Sequence, residues 1–357
     1  MKMKQMISGI AAVVMSMSLC ACGGSKPAAT TAAPAGGNSE TTAAASSGTV
    51  AEVKLGIGYT TAANDDDPYH ITALTFKNYV EEKTGGRIVV EEYPSSQLGS
   101  EPEMWEGMQT GTCDMAVMTN AYVSSYVPAN GSLDLPFIFK DLDQARTVVD
   151  GEYGQALIDN LESTGVKCLA FSEGGFRQLC TREKGVKSPA DLDGLKIRCM
   201  ETKTYLSAYK SLGVNATPMA WGELLTALQQ GTVDGCDAPL SVLYTNGFPD
   251  ICKYIDNVNL FYSPLPVCIS GMVYDGLSAE DQQILIDAAK EAAKVARANN
   301  DASAERMEKD LTEQGMTIIK ESEVDNAAFQ ATVQPCYDEM ASYIGQEWID
   351  KLQAAIQ

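Results

Sequence analysis

Two arginines stand where strand-like runs end. Arg177 closes Gly174-Gly175-Phe176-Arg177, and Arg198 follows Asp193-Gly-Leu-Lys-Ile. A guanidinium can hold a carboxylate through two parallel hydrogen bonds, which makes the pair a candidate anion clamp. Nearby, Trp221 opens a helical pattern and offers a flat apolar wall. The loop Gly235-Cys236-Asp237-Ala238-Pro239 follows a short strand pattern, and Asp237 there could accept hydrogen bonds from ligand hydroxyls. Each residue also has a structural reading. A buried arginine without a partner is costly, so Arg177 and Arg198 need either an internal Asp or Glu or a ligand carboxylate. Trp221 could equally serve packing between lobes.

Chemistry of the catalytic kind finds little support. His70 is the single histidine and lies just after Asp67-Pro68-Tyr69, at a helix start, where capping or packing is its ordinary role. No G-x-S-x-G, H-E-x-x-H or Walker pattern occurs. A glycosidase-like carboxylate pair has no specific signature either. The expectation is a binding protein without a cofactor or metal, and the rival reading is an exported enzyme using His70 or paired acids.

The net charge of −21 opposes a nucleic-acid or polybasic membrane partner. An acidic body must hold an anion with local, buried arginines. Residues 1–21 read as a leader. Lys2 and Lys4 precede an apolar run from Ile7 to Leu19, which is too short to span a bilayer. The ending Leu19-Cys20-Ala21-Cys22-Gly23-Gly24 resembles a bacterial lipobox, which assigns Cys22 as the lipidated first residue; plain secretion with cleavage near Ala21 is the alternative. Residues 22–50, rich in Gly, Ser, Thr, Ala and Pro, read as a flexible tether of about 30 Å root-mean-square reach. The cysteines beyond Cys22 show no C-x-x-C spacing and are expected to be mostly reduced and buried.

The elements that position these residues form two β-α-β-α-β series. The first places strands at 53–59, 87–93 and 114–118. The second places strands at 195–200, 215–219 and 233–236, with helices at 202–212 and 221–230. Each series follows the hydrophobic periods and glycine stops of a parallel sheet covered by helices. Two such lobes make a cleft at the carboxyl ends of their strands. That rule nominates Tyr59, Thr119 and Asn120 from the first lobe, and Arg198 and Asp237 from the second. Gly174-Gly175 could hinge the lobes. Ser278 caps a helix running to about Glu313, some 50 Å long and able to span both lobes. The expected division is 51–173 for lobe I, 174–263 for lobe II, 264–300 for the return and spanning helix, and 301–357 for C-terminal helices packing on lobe II.

Several motifs, taken in order, resemble the substrate-binding proteins of TRAP transporters, the DctP family of extracytoplasmic solute receptors. They are Glu82-Lys-Thr-Gly-Gly-Arg-Ile88, Pro94-Ser-Ser-Gln-Leu-Gly-Ser-Glu101, Leu133-Asp-Leu-Pro-Phe137, Gly175-Phe-Arg177, Asp193-Gly-Leu-Lys-Ile-Arg198, Ala216-Thr-Pro-Met219 and Ala227-Leu-Gln-Gln-Gly-Thr-Val-Asp-Gly235. The resemblance covers nearly all of the chain after the tether. It implies an α/β, two-lobed periplasmic-binding-protein-like (Venus flytrap) fold with a long helix across both lobes. It implies capture of an organic acid anion and delivery to an ion-gradient-driven permease, from the extracytoplasmic face of the membrane. An ATP-driven permease or a signalling kinase is the alternative partner. The family's selectivity arginine falls on Arg198, a second arginine on Arg177 and the aromatic wall on Trp221. First-lobe contacts fall near Glu101, Thr119 and Asn120. One departure stands out: many members carry Glu-Asn-Pro where this chain has Asp237-Ala238-Pro239, so a ligand-facing amide is missing at Ala238.

Overall fold

The computed structural model describes residues 52–357. The leader, the lipidation at Cys22 and the tether therefore lie outside the described residues. The first β-α-β-α-β series is present. Strand β1 (Val53–Gly58) lies between β2 (Ile88–Tyr93) and β3 (Met115–Val117), parallel to both. Its first crossover helix, Pro68–Lys83, starts at Asp67, whose carboxylate accepts the Tyr69 and His70 amides, and has proline at its first position.

Two long strands carry the sheet from one lobe into the other. β4 (Val166–Thr181) and β8 (Tyr254–Ser270) run antiparallel along their whole length. The early half of β4 and the late half of β8 complete the sheet beside β3. The late half of β4 pairs with β7 (Gly235–Pro239), and the early half of β8 with β9 (Thr317–Ile319). The two remaining strands, β5 (Arg198–Cys199) and β6 (Thr217–Pro218), are parallel and join the main sheet through an Ile197–Gly235 bridge. The second series thus exists, with β5 and β6 shorter than their hydrophobic runs and β7 shifted two residues later than expected.

The hinge glycines do not end a strand. Gly175 has φ of 93°, and the β4–β8 register shifts between Glu173 and Gly175. An extra residue with left-handed backbone bends a strand without breaking it. β8 also begins earlier than its apolar pattern suggests, because Asn257, Asn259, Pro264 and Pro266 obscure it. Past Ser270 the chain turns into a short helix, Gly271–Asp275, instead of continuing as strand.

The core is divided by face of the sheet, and both faces run through both lobes. One buried cluster includes Leu55, Phe76, Val117, Leu228, Val267, Leu285 and Ala292. The other includes Trp105, Met118, Leu157, Ile197, Tyr205, Phe261 and Phe329. The helix Ala279–Glu313 spans the lobes as its length requires. Ser278 caps it through the Asp281 amide at 3.1 Å, and its buried alanines let it lie close to the sheet. The C-terminal helices correct the expected division. Gln334–Ile344 meets the second lobe through Ser207–Glu339, yet its Tyr337 and Tyr343 hydroxyls donate to the Pro136 and Ser124 carbonyls. In Gln346–Ala355, Trp348 packs edge-on against Tyr153, and Gln144 donates to the Ile356 carbonyl just beyond. These helices fasten both lobes, not the second alone, and residues 301–313 belong to the spanning helix.

At the bend, the fully buried Glu173 carboxylate receives Arg146 at 2.9 and 2.7 Å and the Tyr262 hydroxyl at 3.1 Å. Arg146 also holds Asp301 of the spanning helix at 2.9 and 2.7 Å. Removing the arginine from such a pair strands a buried charge. Arg146→Ala is expected to lower unfolding free energy by about 3 kcal/mol, read as a reduced urea midpoint at unchanged slope.

Candidate functional site

A small cavity of about 20 Å³ lies where the ends of β1, β3, β5 and β7 meet the middle of β4. Its first-lobe wall carries Thr60, Thr61, Tyr69, Glu101, Thr119 and Tyr122. Its second-lobe wall carries Arg177, Arg198, Met200, Trp221, Ala238, Pro239 and Val242. Thr60, Glu101, Tyr122 and Trp221 also line an adjoining cavity of about 250 Å³, so Trp221 stands between the two spaces. A larger cavity, about 580 Å³, lies between the helices Glu152–Leu161 and Ala279–Glu313. Its Lys167, Lys294 and Arg297 are paired with Glu162, Glu291 and Asp150, which leaves those charges little to offer an anion.

The two arginines differ. Arg177, just beyond the bulge in β4, is held by Asp237 of β7. Its Nε is bonded to the carboxylate, and its Nη2 donates to the Asp237 carbonyl at 2.5 Å. The Tyr209 hydroxyl donates to the other carboxylate oxygen at 2.8 Å, and the guanidinium lies 5.6 Å from the Tyr205 ring centre. Asp237 is fully buried and does not line the cavity. The sequence nominated it to meet ligand hydroxyls, but in the structure its carboxylate faces the arginine and the tyrosine instead of the cavity. Arg177 keeps a face to the cavity, but its charge is balanced.

Arg198 has no carboxylate partner among the described residues. Its Nε and Nη2 both donate to the Met219 carbonyl, at 2.9 and 2.7 Å. Local pairing brings that carbonyl there: Cys199 and Met219 share a backbone hydrogen bond of 3.2 Å beside the β5–β6 pair. A guanidinium has five N–H groups, so Nη1 and the outer Nη2 hydrogen remain for an end-on bidentate contact. The residue is 1% exposed. A buried cation with spare donors at a cavity wall has the chemistry to hold an anion.

The remaining candidates sort by their partners. Trp221 lines both cavities and leans on Phe248 at 5.6 Å between ring centres. Thr119 and Glu101 face each other: the Thr119 amide and hydroxyl donate to the two carboxylate oxygens at 2.7 and 2.8 Å. The Tyr69 hydroxyl joins Thr119 Oγ1 at 2.7 Å. Burial pushes Glu101 up to about 7, against the pull of the Thr119 bonds and the two arginines. Asn120 does not line the cavity. Its amide donates to the Asn130 carbonyl and Asp134, and its oxygen accepts from Asn130. Tyr59 also faces elsewhere, with its hydroxyl against His70 Nδ1 at 2.7 Å and Glu92 at 3.2 Å. His70 sits with them, outside the cavity, pushed up in pKa by its hydrogen bond to Glu92.

The strand-end rule therefore stopped one residue short. Thr60 and Thr61, directly after Tyr59, reach the cavity where Tyr59 does not. Tyr69 and Tyr122 come from first turns of helices, which the rule ignores, and Met200 and Val242 had no polar signal at all.

Two α/β lobes joined by long strands, with a cleft holding an unpaired arginine, define a solute-binding protein. The chain belongs to the bacterial extracellular solute-binding protein family 7 (DctP), whose model matches residues 59–343. It is similar to a solute-binding protein of Verminephrobacter eiseniae, 37% identical over 305 residues, covering 85% of this chain and 90% of that one. It is also similar to the 2,3-diketo-L-gulonate-binding periplasmic protein YiaO of Escherichia coli, 34% identical over 281 residues, covering 79% and 84%. Among solved structures it resembles a TRAP periplasmic solute-binding protein of Polaromonas bound to D-erythronate. That match has a TM-score of 0.81 and 36% identity, covering 85% of this chain and 99% of the other.

Asp237→Ala would leave Arg177 buried without a counter-ion, and a loss of about 3–5 kcal/mol of stability is expected. Tyr209→Phe removes one hydrogen bond to a charged group, and about 1.5–3 kcal/mol is expected. Both are read by chemical denaturation without any ligand.

Proposed function

We propose that this chain is an extracytoplasmic TRAP receptor that captures a small hydroxylated carboxylic acid and presents it to an ion-gradient-driven permease. In this reading the ligand carboxylate docks end-on to Arg198, with Arg177 beside it and Trp221 as the apolar wall. Hydroxyls on the ligand meet Thr60, Thr61, Tyr69 and Tyr122. The observation that carries the reading is the buried Arg198 whose charge no described carboxylate balances. The relatives support the ligand class, since the names attached to two of them are 2,3-diketo-L-gulonate and D-erythronate. Lobes of 51–173 and 174–263 would close about the Glu173–Gly175 bend, and lipid on Cys22 would tether the body to the membrane. No helix among the described residues is long and apolar enough to cross a membrane.

A thermal-shift panel of D-erythronate, galactonate, galacturonate and succinate tests the ligand class. At a hundredfold excess over Kd, a binding acid should add about 2.7 kcal/mol of apparent stability. Arg198→Ala should erase that shift while the ligand-free protein still unfolds cooperatively; a full shift in the variant would count against the clamp. For the anchor, wild-type cells fed a labelled fatty acid should yield labelled receptor, and Cys22→Ala cells should yield none.

A further inference from the structure

The cavity holds a carboxylate of its own. Glu101, the first residue of the helix Glu101–Thr110, is 4% exposed and lines both the inner cavity and the adjoining one. It makes no ion pair with either arginine among the described residues, and both hydrogen bonds it receives come from Thr119. Arg177 is already matched by Asp237, so among the described residues Arg198 is the one unbalanced cation at the cavity wall. An ionised Glu101 would offset that cation, and an entering anion would then meet a like charge in a closed, poorly hydrated space.

We propose that Glu101 takes up one proton as the acid ligand binds, so that the site accepts the anion with a neutral carboxyl group beside Arg198. The inference rests on the anion-receptor reading given above. The groups facing Glu101 fit it. They are Thr119 at the end of β3, Tyr69 and Tyr122 from two helix starts, Arg177 on β4, Arg198 on β5 and the Cys268 thiol on β8. Burial holds both tyrosines neutral, and a hydrogen bond to Cys168 together with burial does the same for Cys268. The arginines therefore supply the charge around Glu101. Its own carboxyl already rests at about 7 through burial, so the uptake falls in the physiological range. The proton comes from solvent and ends on a carboxylate oxygen. Protonated Oε1 can donate to Thr119 Oγ1, which then turns its own hydrogen toward the Tyr69 oxygen or the ligand. The Thr119 amide still donates to Oε2.

The sign follows from linkage. A bound anion raises the Glu101 pKa above its value in the empty site. Affinity is then greatest below about pH 7. It falls by about tenfold per pH unit until the bound-state pKa is passed. With D-erythronate as probe, calorimetric titration at pH 8 in phosphate and in Tris should show an enthalpy difference equal to uptake of about one proton. Glu101→Gln, neutral at every pH, should bind with no uptake and a flat profile from pH 6 to 9. Binding to wild type with no uptake and no pH dependence would overturn the proposal. If D-erythronate fails to bind at pH 6, the ligand reading is what fails. Carboxyl-carbon NMR of the ligand-free protein then decides the role of Glu101. A carboxyl that titrates near pH 7 and is missing from Glu101→Gln supports it, and one fully ionised at pH 5.5 overturns it.

Discussion

Two guanidinium groups are buried against one small cavity, and that is tolerable because one of them brings its own counter-ion. The Arg177–Asp237 pair, steadied by Tyr209, places a fixed cation that costs the site no net charge. A buried pair of this kind is at best neutral for stability against an apolar substitute. Its value is positional. It locks β4 to β7 immediately beyond the bend and fixes the second-lobe wall of the cleft. Among the described residues Arg198 is then left without a carboxylate, held by the Met219 carbonyl, with donors to spare for an anion.

The bend has a similar economy. β4 and β8 cross it without interruption, so the lobes share a sheet and both apolar layers. Such a connection transmits a small rotation and resists shear, since every slip would break ladder hydrogen bonds. Glu173 concentrates the polar contacts of the bend: Arg146, Tyr262 and, through its carbonyl, Asn300 of the spanning helix. The helix is thereby tied to the pivot of the strands as well as to each lobe, with Arg87–Asp281 near one end and the Tyr244 hydroxyl donating to Asp310 near the other.

Much of this was legible. The β-α-β-α-β series, the spanning helix with its serine cap and the placement of Arg198, Trp221, Glu101 and Thr119 all follow from periodicity, glycine stops and a set of motifs. What failed did so for physical reasons. Asp237 and Asn120 have the right chemistry, but sequence does not reveal that their hydrogen-bonding capacity is used internally. Tyr59 is one residue from the cavity, and in a strand one residue reverses the side-chain direction. The length of β8 is hidden by prolines and asparagines that a strand pattern would exclude. The sequence nominated Gly174-Gly175 as a hinge but could not show that the strand runs on through the bend, with Gly175 left-handed and the register shifted.

The two walls of the cleft divide the work of recognition. Hydroxyls come from the first lobe, at Thr60, Thr61, Tyr69, Thr119 and Tyr122, whereas the second contributes the arginines and a largely apolar surface of Met200, Trp221, Ala238 and Val242. Neither wall alone satisfies a hydroxylated anion. A ligand resting on the second lobe would leave its hydroxyls against apolar atoms, and one on the first would leave its charge unmatched. Full desolvation is compensated only with both walls in place, so ligand and closure must stabilise each other. Ala238 sharpens that dependence. Where the resemblance leads one to expect an amide, the second lobe offers a methyl group, and hydrogen-bond readout of the ligand's polar edge passes to the threonines and tyrosines across the gap.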